Sequence, residues 1–338
     1  MIEKFLKHDI SKKRWRIFKS NRRAVISLWA LIIACFFSFT AEFWANSKPI
    51  ILSYKGKIYF PFAKTYKVKE FGIEDTLEIN YREIQLGDDD WAIWPIIKWD
   101  PLESNNEVED FPSAPSKTNL MGTDDRGRDI FTRLLYGLRY SIIYAALVWF
   151  VTYFTGTILG GLMGYFGGRF DFYGQRIVEI LSTVPQFFLL IILISIFKPS
   201  LFLLIMISSL FGWIGISYYI RGEFLKNRKK EFVEGAKAIG SNHFRIFFKH
   251  ILPNSLGPII TFTPFVIAGN ITSLASLDYL GFGLMPPTPS WGELLAQAQK
   301  NFTIGWWLAL YPSLALFCTL TSLTMIGEGV RDAMDPRK

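Results

Sequence analysis

Asp124, Asp125 and Asp129 stand within six residues of one another and could serve as metal ligands. No His lies near them, and Thr123 or Asp124 ahead of a helix from Asp129 to Tyr136 reads equally well as an N-cap, so no metal is assigned. His8, His243 and His250 all fall among basic neighbours, and no nucleophile, base and acid can be assembled from them into a catalytic set. The chain also lacks the Gly-x-x-x-x-Gly-Lys-Ser/Thr loop that cradles nucleotide phosphates. Cys35 and Cys318, the only 2 cysteines, sit in apolar runs and suggest neither a disulfide framework nor a metal site. A fourth carboxylate is of a different kind. Asp278 lies ~22 residues, or ~33 Å of helix rise, into an apolar run, where an ionisable group is expected to face protein or water. Asn270, Thr272, Ser273 and Ser276 precede it, and this polar stripe either lines a pathway or ties helices together. Asn270, Ser273 and Asp278 are the candidates for a pathway or outer gate.

The richest polar segment runs from Glu231 to Asn254. Phe244, Phe247, Phe248 and Ile251 recur at i, i+3, i+4 and i+7 and predict one apolar helix face, with Arg245 and Lys249 on the other. Gly240-Ser241-Asn242 ends a preceding helix holding Glu234, Ala236 and Ile239, and Pro253 stops the second. Two short helices in an elbow are expected, resting on anionic lipid or gripped by a partner.

These residues are carried by an integral membrane protein. Half of the 338 residues are hydrophobic and 17% aromatic, gathered into runs longer than a globular core uses. Six spans are expected, at about 24 to 45, 140 to 164, 177 to 197, 201 to 220, 256 to 283 and 304 to 327, each with the ~20 residues that cross a bilayer. The first follows a basic stretch, yet it is too long for a signal h-region, and Phe43 and Trp44 spoil a cleavage site; it reads as a retained anchor. Residues 1–23 hold nine basic side chains against two acids and residues 221–250 eight against three, whereas residues 46–137 hold twelve against sixteen. The Lys and Arg bias places both termini and the 221–255 loop in the cytoplasm. The net charge of +8 is thereby a topology signal and implies no nucleic-acid partner.

The expected organisation is a basic cytoplasmic segment at 1–23, a first span at 24–45, a periplasmic insertion at 46–137, a five-helix core at 138–330 and a tail at 331–338. Within the insertion, Ile50 to Tyr54 and Lys57 to Phe60 flank Lys55-Gly56 as a β-hairpin. Trp91, Trp94 and Trp99 supply either a small core or a headgroup contact. Gly156, Gly160 and Gly164 line one face of the second span and admit a close neighbouring helix.

The spacing Glu234-Gly235-Ala236, Gly240, then Leu252-Pro253 resembles the EAA loop of ABC-importer permeases. Gly235 replaces the first Ala of that name, and His250 stands where the general pattern has Ile. Three further stretches are similar to the C-type permeases of dipeptide, oligopeptide and nickel importers: Gly122-Thr123-Asp124 to Gly127-Arg128-Asp129, Pro286 to Gly292, and Gly327 to Pro336. The enlarged insertion is most similar to that of the microcin C and peptide importer permeases. The resemblance implies an all-α type I ABC importer (MetI-like) fold of six transmembrane helices with a small irregular α/β insertion. It further implies residence in the bacterial inner membrane, a second homologous permease, two ATP-binding subunits and a periplasmic or lipid-tethered solute-binding protein. Glu234, Gly235, Ala236, Gly240, Leu252 and Pro253 would then form the coupling site. ATP would be bound by the partners, leaving this chain with no cofactor and no enzymatic role. Peptides or peptide-like compounds are the implied cargo, with nickel or another solute as the alternative and a non-transporting receptor as the rival.

Overall fold

The computed structural model describes residues 9–71, 79–84, 86, 87, 89–197 and 199–335. His8, Pro336 and the outermost parts of the basic segment and tail lie outside the described residues. Helix α1 (Asp9–Ser20) leads into α2 (Arg22–Phe39), whose N-cap Asn21 accepts from the Ala24 amide at 3.2 Å. The first span stops at Phe39, short of the expected 45. The Thr40 hydroxyl donates to the Phe36 carbonyl at 2.6 Å, and a separate turn, α3 (Ala41–Trp44), follows.

The insertion then builds a three-stranded sheet in the order β2-β1-β3. β1 (Ile51–Tyr54) and β2 (Lys57–Tyr59) form the expected hairpin, in register Leu52↔Tyr59. Lys55 and Gly56 both adopt positive φ, 51° and 73°, the backbone that a tight hairpin turn of this hand requires. β3 (Trp91–Ile93) joins the other edge of β1 and was not expected from the sequence. Leu52, Tyr54, Tyr59, Phe71 and Tyr81 make its aromatic core, with Trp94 packed against it. Trp99 is buried in a second cluster with Ala41, Ala45 and Tyr136 that roots the insertion on α3 and α4, whereas Trp91 is exposed. Among the described residues, the insertion carries, beside the strands, a short 3-10 turn, Val68–Phe71, and much irregular chain.

Helix α4 (Ile130–Phe166) is 37 residues long. At ~1.5 Å per residue it far exceeds a ~30 Å hydrocarbon layer, so its first turns stand among insertion residues; it starts well before the expected 138. The third span differs most from expectation. It consists of α5 (Gly168–Ser182) and α6 (Gln186–Ile196), bent by 67°. Pro185 sits at the break, where it lacks an N–H and disfavours helix in the residue before it. Helices α7 (Leu201–Asn227), α10 (Gly257–Tyr279) and α12 (Trp306–Met334) complete the apolar set. Among the described residues, five helices are long and apolar enough to cross a membrane, and the bent pair makes six.

The glycine face of α4 packs on α7 as its spacing predicts. A Cβ on Gly160 would lie 2.4 Å from the Ser217 carbonyl oxygen, and one on Gly164 would lie 2.6 Å from that of Arg221. Two backbones in such contact move together. Arg221 further ties α7 to α5 through Asp171, at 2.5 and 2.6 Å.

Candidate coupling elbow and transport path

Between α7 and α10 lie α8 (Glu231–Ala238), α9 (His243–Arg245), a π-turn over Ile246–Ile251 and a 3-10 turn over Leu252–Ser255. Glu231 and Glu234 sit in the first turn of α8, where acids complement the helix dipole. The helix ends because Gly240 takes φ +79°, which lets Ser241 N–H reach the Ala236 carbonyl at 3.0 Å. Asn242 caps α9 by accepting from the Arg245 amide at 2.8 Å.

The buried face is Val233 and Ala236 from α8 with Ile246, Phe247 and Ile251 from the second arm, packed on Tyr153, Ile220 and Phe224. This corrects the expected face of Phe244, Phe247, Phe248 and Ile251. A π-turn takes more residues per turn than an α-helix, so Ile246 comes inward while Phe244 (71% exposed) and Phe248 (41%) turn out, their rings 4.5 Å apart. Ile239, grouped with Ala236 by the sequence, is 87% exposed. Phe232, Ile239, Phe244 and Phe248 are thus large apolar side chains left uncovered on both arms of the elbow, interspersed with Lys237, Arg245 and Lys249, a composition that suits an interaction site. Glu234 and Gly235 are exposed beside it, Leu252 packs on the buried cluster, and Pro253 opens the 3-10 turn. His250 contributes its carbonyl, accepting from Asn254 Nδ2 at 2.7 Å.

Fastenings that the sequence did not disclose hold the elbow to the helix ends. Asn227, buried at the end of α7, donates to Ser255 Oγ at 3.0 Å. Tyr165 at the end of α4 meets His243 Nδ1 at 2.7 Å, and the Phe224 and Phe247 rings lie 4.7 Å apart. Displacing the elbow therefore displaces α4 and α7.

Deeper between the helices, a cavity of about 260 Å³ lies among α4, α6, α7 and α10. Tyr144, Gln186, Ser208, Asn270 and Ser273 give it neutral hydrogen-bonding groups among apolar ones. Tyr144 and Ser208 share a hydrogen bond of 2.7 Å, and Asn270 Nδ2 donates to the Ala145 carbonyl at 3.1 Å. The stripe expected along α10 is divided. Thr272 and Ser276 lie on another face and donate to carbonyls of their own helix at 3.0 and 2.9 Å. Asp278 sits apart from the cavity, buried, accepting from the Leu284 amide at 2.6 Å and from Ser290 Oγ. It closes the turn between α10 and α11 (Trp291–Lys300).

At the end of the molecule opposite the elbow, the Gly122 to Asp129 motif forms a buried ionic clamp. Asp129 caps α4, accepting from the Thr132 amide at 2.8 Å, in place of the expected Thr123 or Asp124. Asp124 instead takes Arg128 Nε at 2.7 Å and lies 3.4 Å from Arg133 Nε. Both arginines also reach Glu293 of α11, Arg128 at 3.2 Å and Arg133 more closely. Trp307 Nε1 donates to the Thr123 carbonyl at 3.1 Å, and Trp291 Nε1 to that of Leu134 at 2.9 Å. Burial pushes the carboxyls of Asp125 and Asp129 above the ordinary range. The three aspartates do not converge: one answers arginines and one caps a helix, and no metal-holding group of three occurs among the described residues. The Gly327 motif packs at the elbow end of α12, where a Cβ on Gly329 would lie 2.5 Å from Ala24 Cβ.

Residues 156–338, more than half the chain, match the family described as binding-protein-dependent transport system inner membrane component. The chain belongs to that family. Its members are ABC-importer permeases, membrane components rather than enzymes, which accounts for apolar helices ending in an uncovered elbow. Residues 11–59 of this permease match the N-terminal transmembrane domain of oligopeptide transport permease C. It is 37% identical to the inner membrane ABC transporter permease protein YejE of Escherichia coli K12, covering 97% of this chain and 98% of that one. It is 36% identical to the peptidoglycan transport system permease protein YejE of Agrobacterium fabrum, covering 97% and 93%. The oligopeptide transport system permease protein OppC of Haemophilus influenzae is 36% identical over 65% of this chain and 70% of its own.

Proposed function

We propose that this permease carries peptides or peptide-like compounds across the bacterial inner membrane. The elbow and both termini face the cytoplasm and the insertion faces the periplasm, as the Lys and Arg bias requires. It pairs with a second, homologous permease around the path, receives cargo from a periplasmic or lipid-tethered solute-binding protein, and is driven by two ATP-binding subunits. ATP binds and is hydrolysed on those subunits, so this chain carries no cofactor. Peptide cargo is supported by the similarity over 97% of the chain to a permease named for peptidoglycan transport, and over 65% of it to one named for oligopeptide transport.

The observation that carries this reading is the elbow: an exposed apolar surface of Phe232, Ile239, Phe244 and Phe248 riding on a buried face fixed to α4 and α7. A partner that closes on the first moves the second, and with it the helices around the Asn270 and Ser273 cavity. Glu234, Gly235, Ala236, Gly240, Leu252 and Pro253 shape that contact. Asp278 acts at the periplasmic gate by holding the turn into α11, rather than by lining the cavity. Deleting Glu234 to Gly240 tests the coupling: membrane insertion is expected to persist while the ATP-binding subunits no longer co-purify. Retention of those subunits at the wild-type level would overturn it. For Asp278→Ala, uptake and complex assembly are measured separately; reduced uptake is expected, and normal uptake removes the gate role.

A further inference from the structure

The insertion contains a cleft that the transport reading leaves unused. It has a volume of about 590 Å³ and lies among residues 47–48 ahead of β1, 65–68 after β2, 79–81, and 100–103 on the segment that returns to α4, within the ~300–1,000 Å³ of small-molecule sites. Lys48, Tyr66, Asn80, Tyr81, Asp100 and Glu103 supply its polar lining. Opposite charges and aromatic rings are thereby gathered in one concavity rather than dispersed over a surface.

The wall is fixed. Arg82 Nη2 holds Glu103 at 2.6 Å and the Lys98 carbonyl at 2.5 Å, with its guanidinium 4.0 Å above the Trp99 ring. Trp99 is itself anchored to the Thr118 carbonyl at 2.9 Å. Glu103 is therefore already paired. Among the described residues, the Asp100 carboxylate is engaged by one backbone amide, Leu102 N–H at 2.9 Å on Oδ1. Burial holds its carboxyl above the ordinary range despite the Leu102 amide and the charge of Lys48 across the cleft, a desolvation that an incoming ammonium would offset further. Tyr66 accepts from the Phe60 amide at 3.1 Å, which leaves its own hydroxyl proton to donate.

We infer that this cleft binds a short zwitterionic peptide by its two ends, Asp100 taking the terminal ammonium and Lys48 the terminal carboxylate. The choice of a peptide rests on the cargo reading above. A zwitterionic lipid headgroup shares the charge pattern, but the apolar side chains that line the cleft among the described residues, Val68, Ile79 and Leu102, are interspersed with eight polar ones and form no continuous track for an acyl chain. Recognition of both ends against a fixed wall selects chain length and tolerates different side chains, which suits a station where free peptides are met outside the membrane.

The full-length chain, purified in detergent, is titrated with trialanine by calorimetry. Saturable 1:1 binding is expected. N-acetylated trialanine and Asp100→Asn should each weaken it about tenfold or more, as loss of a charged hydrogen bond does. Trialanine amide and Lys48→Met should do the same. The acetylated peptide should be indifferent to Asp100→Asn, since the group it meets is already gone. Absence of saturable binding, or affinity unchanged by both blocked peptides, overturns the inference whatever the variants do. Retention of phosphatidylethanolamine that trialanine fails to displace overturns it in favour of a lipid site. Uptake of labelled trialanine by the complete transporter is measured beside it. Binding without uptake removes the peptide-cargo reading alone, and uptake without binding removes the cleft alone.

Discussion

Helix α4 is held at its start by charge and at its finish by shape. At the insertion end, Asp129 caps it while Asp124, Arg128, Arg133 and Glu293 form a network with almost no solvent contact; the Arg133 and Asp124 side chains are 0% exposed. At the elbow end, Gly156, Gly160 and Gly164 bring it against α7. Beyond them, among the described residues, come rings, a hydroxyl, an imidazole and a single guanidinium hydrogen bond, from Arg228 Nη1 to the Tyr165 carbonyl at 3.2 Å, with no carboxylate among them. A buried ion pair tolerates little displacement, because any loosening leaves an uncompensated charge out of water. An end held by rings and small residues shifts at lower cost, α4 and α7 moving as a pair while the contacts around them lose dispersion a few atoms at a time. The helix is thus pinned at its insertion end and compliant at its elbow end. On the coupling proposed above, that division suits a lever driven from one end.

The largest test of this contrast is Arg133→Met. Removing one member of a buried network costs about 3–5 kcal/mol, so the purified chain should melt far lower, or fail to accumulate, in a thermal unfolding assay. Pairing it with Glu293→Leu should recover part of the loss; if the single variant is neutral, the network does not pin the helix. The matching change at the other end is Ile239→Ala with Phe244→Ala. Both side chains face solvent, so the melting curve should hardly move. Affinity for the ATP-binding subunits should fall by about 2 kcal/mol or more, as truncation of apolar anchors at an interface does, which a pull-down series can measure. Unchanged affinity would show that the exposed surface is not the gripped one.

What the sequence disclosed follows the same division. The elbow's ends were legible, because a glycine, an asparagine cap and a proline inside a polar segment between apolar runs leave few alternatives. Its buried face was not, since periodicity reading assumes 3.6 residues per turn and Ile246–Ile251 winds as a π-turn. The glycine ladder was legible as a packing face from spacing alone. The clamp motif was visible as a string, but Arg133 and Glu293 are 160 positions apart and share no periodicity that could pair them. Hydropathy likewise cannot show where α4 leaves the membrane, because its first turns are covered by Trp99, Pro101 and Glu293 rather than by lipid. Strand β3 escaped for a related reason: its partner lies some forty residues earlier, at Leu52↔Ala92.

Gly235→Ala sharpens the contrast by asking what compliance is worth. No atom lies within 4 Å of where a Cβ would stand, so the methyl meets no obstacle and mid-helix Ala should stabilise α8 by roughly 0.5–1 kcal/mol. Hydrogen exchange of the α8 amides should slow about twofold to fivefold, since 1.4 kcal/mol corresponds to tenfold and the gain is smaller than that. Faster exchange would mean that Gly235 is held in a backbone state that Ala resists.

The smallest expected effect lies at the pinned end, where α3 meets α4. Arg139 grips Glu42 with Nη1 at 2.7 Å and Nη2 at 2.8 Å and also donates to the Ser38 carbonyl. The hydrogen bonds from Arg139 hold the Glu42 carboxyl below its ordinary range against the opposing effect of burial. A carboxylate whose folded pKa is depressed contributes stability fully above its unfolded pKa, and that contribution is lost as pH falls through the folded value. Because Glu42 is 39% exposed, solvent screens the pair and its share should be about 0.2–1 kcal/mol. Wild type should therefore lose slightly more melting temperature than Glu42→Gln between pH 7 and the acid side of the carboxylate range, with the two curves converging at the acid end. A gap that widened on acidification would mean that the pair opposes the folded state, and that this end of α4 is held by its buried arginines alone.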